Sequence, residues 1–261
     1  MNIYESDKLL SEYISFHYGT DENLPEALAQ TLGAENYPFR CVHHLINHPT
    51  LPPRSRALDL GCAVGRSSFE LARFSSEVIG IDFSHRFIAT ANHLKKLGYI
   101  NYQRTDEGTL VSPYVAAVHP EIDRSRVSFE VGDAMNLRPD LGSFDLVLMA
   151  NLIDRLPQPL QCLQRLTDLV NPGGQLIITS PYTWLEEFTP LSNWLGGFTD
   201  QGSRITTQAG LLTALAPSFE LISTQDLPFI IREHARKFQW SIAQATTWRR
   251  LSPIATPESP N

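Results

Sequence analysis

The chain has 261 residues, 42% of them hydrophobic and 19% charged, the composition of a globular protein with room for one large domain and additions. A net charge of −7 argues against a broad nucleic-acid footprint, so no nucleic-acid partner is expected. The three cysteines, Cys41, Cys62 and Cys162, have no metal-ligand spacing and form no disulfide framework, so reduced thiols, no metal site and a cytoplasmic location are expected. Residues 1–20 do not read as a signal peptide, and no apolar run approaches the ~20 residues of a membrane span, so no membrane partner is expected.

In chain order, residues 5–18 predict an amphipathic helix carrying Leu9, Leu10, Tyr13, Ile14 and His17. A second helix is expected at 24–32, opened by Pro25, and a third at 38–48, stopped by Pro49. Leu51-Pro52-Pro53 is a stiff linker, so 1–53 forms an N-terminal helical cap. Strands follow at 56–60, 77–81, 126–131, 144–150 and 175–180, with helices at 65–73, 84–97 and 159–169 between them. This alternation predicts an α/β domain over 54–250, built on a parallel sheet covered on both faces. Residues 98–125 are polar, carry Tyr99, Tyr102 and Tyr114, and interrupt the alternation as an insertion. Residues 206–216 predict another helix. Two β-rich runs, 219–232 and 237–249, predict a C-terminal antiparallel hairpin around the polar turn Glu233–Arg236. The Pro/Ser-rich tail, 251–261, is expected to be disordered.

The most informative stretch is Ala57-Leu-Asp-Leu-Gly-Cys-Ala-Val-Gly65, a strand, a glycine turn and the start of a helix. Glycine allows positive φ and close backbone approach, and the N–H groups of the new helix face whatever lies across the strand ends. The spacing is G-x-x-x-G, with Ala63 where a dinucleotide fingerprint would place its middle glycine. Ile79-Gly80-Ile81-Asp82 ends the second strand with an acid placed to accept from two ribose hydroxyls. Val131-Gly132-Asp133-Ala134 ends the third with an acid suited to the amino group of adenine, and the fourth runs into Asn151. Cys62 reads as a small filler, because no partner base is evident.

In this order the motifs at 56–181 resemble a class I S-adenosylmethionine-dependent methyltransferase. The resemblance implies a Rossmann-like methyltransferase sheet and S-adenosylmethionine as the cofactor. It places Asp59, Gly61, Ala63 and Gly65 around the methionine part, Asp82 and Phe83 at the ribose and adenine, Asp133 and Ala134 at the adenine, and Asn151 and Leu152 on the sulfonium side.

Five further segments narrow the resemblance: Tyr4-Glu-Ser-Asp-Lys8 with Glu12-Tyr13 and Phe16-His-Tyr-Gly19; Asp59–Ser68; Asn151-Leu-Ile-Asp-Arg-Leu-Pro157; Ser180-Pro-Tyr-Thr-Trp184 through Pro190; and Ile231-Arg-Glu-His-Ala-Arg-Lys-Phe-Gln-Trp240. Up to about Arg250 they resemble the C-terminal methyltransferase domain of ovothiol-synthesising enzymes, the 5-thiohistidine (4-mercaptohistidine) N-methyltransferase. The resemblance implies methylation of the imidazole π nitrogen of 5-thiohistidine to give ovothiol A. It also implies a stand-alone enzyme supplied by a separate sulfoxide synthase. Histidine or another small imidazole or thiol is the alternative acceptor, and a non-catalytic cofactor-binding subunit the alternative role.

Methyl transfer from a sulfonium needs alignment more than acid–base groups, so the flanks should hold the acceptor. Arginine forks suit its carboxylate and acids its ammonium. Arg66, Arg155, Arg232 and Arg40 are candidates for the first role, and Asp154, Glu186, Glu187 and Glu233 for the second. Asp154 either contacts the acceptor's polar groups or accepts its imidazole N–H, or else it pairs with Arg155 or caps a helix. Asn151 is a candidate at the mouth of the fold. Tyr13, His17, Tyr18, Tyr182 and Trp184 are candidates to wall the ring or donate to it, with plain packing the alternative for Tyr182 and Trp184 and a structural histidine the alternative for a catalytic His17.

Overall fold

The computed structural model describes residues 6–19 and 35–252. Its centre is a seven-stranded sheet. Four of the strands are β1 (Arg56–Leu60), β2 (Glu77–Asp82), β5 (Val127–Val131) and β6 (Phe144–Ala150). The other three are β7 (Val170–Ser180), β10 (Phe219–His234) and β11 (Lys237–Arg250), and the spatial order is β10-β11-β7-β6-β1-β2-β5. Strands β5, β2, β1, β6 and β7 run parallel, while β11 is antiparallel to β7 and β10 to β11. The order reverses between β1 and β6, the switch point where such sheets open a crevice at their carboxyl ends.

The strands read as nearly continuous apolar runs because both faces are covered. Leu58, Leu60, Ile79, Ile81, Val147 and Met149 point to one face, where α5 (Pro159–Leu169) and α6 (Thr207–Leu215) pack. Ala57, Val78, Leu146 and Leu148 point to the other, against α2 (Tyr37–His43), α3 (Arg66–Leu71) and α4 (His85–Leu97). Cys162, Leu163, Leu166 and Leu169 supply the buried stripe of α5 at helical spacing. Side-chain caps start the helices. Ser6 accepts from Leu9 N–H at 3.3 Å to open α1 (Asp7–Tyr18), Asn36 from Phe39 N–H at 3.2 Å, and Ser84 from Phe87 N–H at 3.2 Å.

Several expectations are corrected. The 98–125 insertion is ordered around an antiparallel hairpin, β3 (Tyr99–Glu107) and β4 (Leu110–Ala117). Its apolar residues, among them Tyr99, Ile100, Tyr102, Val111, Tyr114 and Val115, lack a strict period of two, so the strands did not stand out from their polar neighbours. The 38–48 helix ends at His43, and Pro49 sits instead in a separate 3-10 turn, His48–Thr50. Strand β7 begins at Val170, five residues early, because Asn171–Gly174 is absorbed as an irregularity between the Phe144 and Leu146 pairings. A short hairpin, β8 (Phe198–Asp200) with β9 (Ser203–Ile205), was not anticipated. The expected 24–32 helix and the tail from 253 lie outside the described residues.

The C-terminal hairpin matters most for the site. Strand β11 pairs with β7 only over Gln244–Arg249. The stretch Lys237–Ala243 and its β10 partners therefore overhang the ligand edge by about 23 Å at ~3.3 Å per residue. Pro228 sits in β10 at the free sheet edge, where a missing N–H costs no ladder bond, and Arg40 Nη2 donates to its carbonyl at 2.6 Å. Leu227, Phe229 and Ile231 of the overhang pack with Ile14, Tyr37 and other α1 and α2 residues, forming a roof over the crevice.

Candidate active site

The cradle is made by backbone. After β1 the chain turns through Gly61 (φ 75°), Ala63 (φ 47°) and Gly65 (φ 84°). Gly61 and Cys62 N–H donate to the Ile81 carbonyl at 2.8 and 3.1 Å. The Asp82 carboxylate fastens the turn: Oδ2 accepts from Ala63 N–H at 2.9 Å and Oδ1 from Ser84 N–H at 2.9 Å. Each carboxylate oxygen accepts more than one bond, so the same group can also receive ligand hydroxyls. Ala63, where the middle glycine is absent, holds left-handed backbone despite its Cβ, a strained conformation of the kind that clusters at ligand sites.

The glycines divide by role. A Cβ on Gly65 would lie 2.6 Å from Phe129 Cζ, and one on Gly80 2.7 Å from Phe129 Cδ1, both in the core. A Cβ on Gly61 would instead meet Leu152 Cδ1 at 3.2 Å, so Gly61 and Leu152 face each other across the crevice. Gly65 was expected around the methionine part, and its need for glycine comes from core packing together with its positive φ.

Asp59 also departs from a direct contact. It is 1% exposed, and Ser68 Oγ of α3 donates to its Oδ2 at 2.6 Å. Burial raises its pKa to about 7, against the Ser68 hydrogen bond. Asp59 ties the helix to the strand from beneath the turn. The Cys62 thiol is buried and pushed well above its ordinary pKa by burial, which leaves it inert.

On the β2 side, Phe83 is 63% exposed, an apolar ring turned outward at the carboxyl edge. Gly132 N–H donates to the Asp82 carbonyl at 3.0 Å, which brings the next strand's exposed Asp133 alongside. Asp133 Oδ1 accepts from Met135 N–H at 2.8 Å, and Ala134 and Leu152 are partly buried on the same apolar cluster. A flat apolar surface between two strand-end acids suits a nucleoside, and the glycine turn beside it suits the chain attached to one. The residues present therefore fit S-adenosylmethionine.

Beyond β6, Asn151 takes φ 52° and sits in a network that includes two residues the sequence did not single out. Tyr37 Oη donates to Asn151 Oδ1 at 2.8 Å and lies 2.6 Å from Thr179 Oγ1, while Asn151 N–H donates to the Thr179 carbonyl at 2.8 Å. The signal for Thr179 was a polar residue closing an otherwise apolar strand. Tyr37 comes from another element and had none.

Asp154 is buried, and its Oδ2 accepts from Arg155 Nη1 at 3.0 Å and from Thr183 N–H at 2.9 Å. Its Oδ1 has no hydrogen-bond partner among the described residues. Burial raises its pKa, and Arg155 opposes the shift. Tyr182 (φ 55°) donates its hydroxyl to Gln244 Oε1 at 2.8 Å, and burial pushes the phenol to about 12. Trp184 packs away from the crevice, with Nε1 bonded to Thr207 Oγ1 at 2.8 Å.

Helix α1 closes the cradle from above. Tyr18 Oη donates to the Val64 carbonyl at 2.9 Å, and Tyr13 lies on Phe87 at 4.6 Å. His17 is buried, and burial with Arg66 nearby lowers its pKa to about 3, so it is neutral and a poor proton acceptor. Arg66 Nη2 pairs at 2.9 Å with Glu70, a fully buried acid that also meets Arg73 Nε at 2.8 Å and His43 Nε2 at 3.1 Å. Arg40 and Arg155 are used on backbone carbonyls, and Glu186 and Glu187 face solvent. Arg232 and Glu233 lie further out, at the hairpin tip. No helix of the described residues is long and apolar enough to cross a membrane.

Comparison with known proteins places this geometry. Two family models, each described as a methyltransferase domain, match residues 58–178 and 120–256, the second over half the chain. The 2-methyl-6-phytyl-1,4-hydroquinone methyltransferase of Synechocystis sp. is 30% identical over 146 residues, 56% of this chain and 38% of that protein. A ubiquinone biosynthesis O-methyltransferase of Coxiella burnetii is 24% identical over 123 residues, 47% of this chain and 42% of that protein. The matches thus span less than half the length of these curated relatives. Among solved structures, a methyltransferase of Methanosarcina mazei superposes with a TM-score of 0.53 at 18% identity, covering 78% of this chain and 96% of that one. The (4+2)-cyclase SpnF superposes with a TM-score of 0.60 at 18% identity, covering 96% of this chain and 95% of its own. These two likenesses are of fold, and a fold hosts many chemistries. The family-model matches carry the assignment: the chain belongs to the S-adenosylmethionine-dependent methyltransferases.

Proposed function

We propose that the enzyme methylates the imidazole π nitrogen of 5-thiohistidine to give ovothiol A. The observation that carries this reading is convergence. Parts of four segments that resemble that family, α1, Asn151 at the end of β6, Ser180–Thr183 at the end of β7 and Ile231 in the overhang of β10, lie at the carboxyl edge of the sheet or in its roof. In this reading Asp82 takes the ribose hydroxyls, Phe83 and Ala134 flank the adenine, Asp133 meets its amino group, and Gly61, Ala63 and Leu152 line the methionine part. The cofactor supplies a methyl group on a sulfonium, a leaving group that needs no acid. The protein's work is therefore to align the ring nitrogen and turn the softer sulfur away. The absence of a basic role for His17 is consistent with that demand. Asn151 and Tyr182 are the polar groups offered to the acceptor ring, with Asp154 behind them.

The relatives' names favour a second reading, a hydroquinone acceptor. A competition assay decides. With S-adenosylmethionine and equal 5-thiohistidine, histidine and a hydroquinone, methyl should appear on the π nitrogen of 5-thiohistidine. Faster turnover of histidine or hydroquinone, or methyl on sulfur, would overturn the reading. Cofactor binding without any turnover would favour a non-catalytic subunit.

A further inference from the structure

A cavity of about 200 Å³ lies outside the nucleoside cradle, between α1, the β3–β4 hairpin and the tip of β10. Two guanidinium groups line it. Arg104 is only 7% exposed; it stacks on Tyr114 at 3.8 Å and donates Nη2 to the Tyr114 hydroxyl at 3.0 Å. Arg232 sits over Phe238 at 5.4 Å. The Nε of each is buried with no hydrogen-bond partner among the described residues.

The acids nearby are already engaged. Asp7 pairs with Arg86, Glu12 with Lys8 at 3.8 Å, and Glu233 with Lys237 at 2.7 Å. Asp106, within electrostatic range of Arg232, accepts from Ser112 Oγ at 2.5 Å. Burial and the neighbouring Arg104 lower the Arg232 pKa, and Asp106 opposes the shift only in part. Unpaired charge in a partly buried cavity is costly unless a counter-ion completes it. A guanidinium fork matches the planar geometry of a carboxylate.

We infer that this cavity is a carboxylate-binding pocket, with Arg104 and Arg232 as its specificity-determining residues, that seats the amino-acid end of the methyl acceptor. Ser15, which lines it, is about 4.5 Å along α1 from Tyr18, the residue that seals the cofactor turn. The identity of the acceptor rests on the proposed function, whereas the pocket's preference for a carboxylate does not.

The test is steady-state kinetics of Arg104→Gln and Arg232→Gln with 5-thiohistidine and with its decarboxylated amine. Loss of a charge-assisted bond should raise KM for 5-thiohistidine about 10–100-fold with little change in kcat. KM for the amine, affinity for S-adenosylhomocysteine and Tm should stay at wild-type values, and Arg232→Lys should recover part of the loss. If Arg104→Gln lowers Tm, the more exposed Arg232→Gln carries the test. An unchanged KM in Arg232→Gln, or an equal rise for the amine, would overturn the pocket while leaving the thiohistidine reading standing. If the wild type does not methylate 5-thiohistidine, that reading falls and the pocket is tested by calorimetry with L-histidine and succinate on the S-adenosylhomocysteine complex. Binding heat that is lost in Arg232→Gln sustains the pocket. No heat with the wild type overturns it.

Discussion

The cradle and the roof border the same edge of the sheet and are held together by different means. In the cradle, backbone N–H groups of Gly61, Cys62 and Ala63 meet one carbonyl, Ile81, and one short acid, Asp82. In the roof, rings meet one another: Tyr37 on Phe229 at 4.7 Å and Phe16 on Phe229 at 5.8 Å. Backbone geometry depends on a few residue types at fixed positions. Side-chain packing of this kind can be rebuilt from many residue sets, which leaves it free to change with the acceptor. The two regions should therefore answer mutation differently.

The largest effect is expected beneath the cradle. Gly65→Ala places a Cβ 2.6 Å from Phe129 at φ 84°. Overpacking and left-handed strain together should cost about 3 kcal/mol, a Tm loss of about 6–12 °C. Gly108 has φ 56° and nothing within 4 Å of where a Cβ would sit, so Gly108→Ala carries strain alone and should cost about 1 kcal/mol. Phe129→Leu should recover part of the Gly65→Ala loss and nothing of the Gly108→Ala loss. Equal Tm changes for the two alanines would refute the packing role of Gly65.

Next comes Asp82→Ala, which strips two backbone donors of their acceptor. Calorimetry should show S-adenosylmethionine binding weakened by about 2–3 kcal/mol, while Arg232→Gln leaves it unchanged. A cofactor affinity insensitive to Asp82 would remove the main distinction between cradle and roof.

Much of the cradle was legible in the sequence, and the reason is physical. Positive φ at Gly61 and an acid at the end of β2 are tied to particular residue types, so their spacing carries the geometry. Direction was not legible. Asp59 reads like Asp82, yet it faces inward to Ser68, because residues alternate across a strand and its neighbour contacts decide which face is wet. The roof was legible only as segments. Arg232 and Glu233 could be named from their run of charges, but Arg104 lay in a stretch read as an insertion, and only the tertiary fold brings β3 against β10. Trp184, left open between lining the pocket and plain packing, packs against α6.

His17 tests the roof through pH. Its ordinary pKa of 6.5 falls to about 3 in the folded chain, with burial the main cause. Above pH 6.5 the ring is neutral in both folded and unfolded chains, so it contributes no pH dependence. As pH falls below 6.5 the unfolded chain gains a proton that the folded chain refuses, and stability declines until the pH reaches the folded value. At pH 5 the loss is about 2 kcal/mol, from 1.36 kcal/mol per unit. Asp59, raised to about 7, works the other way, since its folded form takes up a proton first as pH falls. Comparing wild type with His17→Leu cancels that contribution. Denaturant unfolding should show the variant gaining about 2 kcal/mol on the wild type between pH 7.5 and pH 5, and parallel pH profiles would show that His17 is accessible to protons.

The smallest effect is at the join. Tyr37 belongs to α2, under the roof, yet its hydroxyl bonds Asn151 at 2.8 Å and touches Thr179 at 2.6 Å on the sheet edge. Tyr37→Phe keeps the ring on Phe229 and removes only that hydroxyl. Asn151 Oδ1 retains Thr179 Oγ1 at 3.2 Å, so the cost should be about 1 kcal/mol. The sharper readout is where the loss falls. Asn151 holds a positive φ at the carboxyl end of β6, and the network fixes its amide. If the network serves alignment of the acceptor, kcat/KM for the acceptor should fall several-fold while the cofactor Kd stays constant. If it only braces the sheet edge, Tm should fall and both constants should hold, and the join would then belong to the scaffold and not to the site.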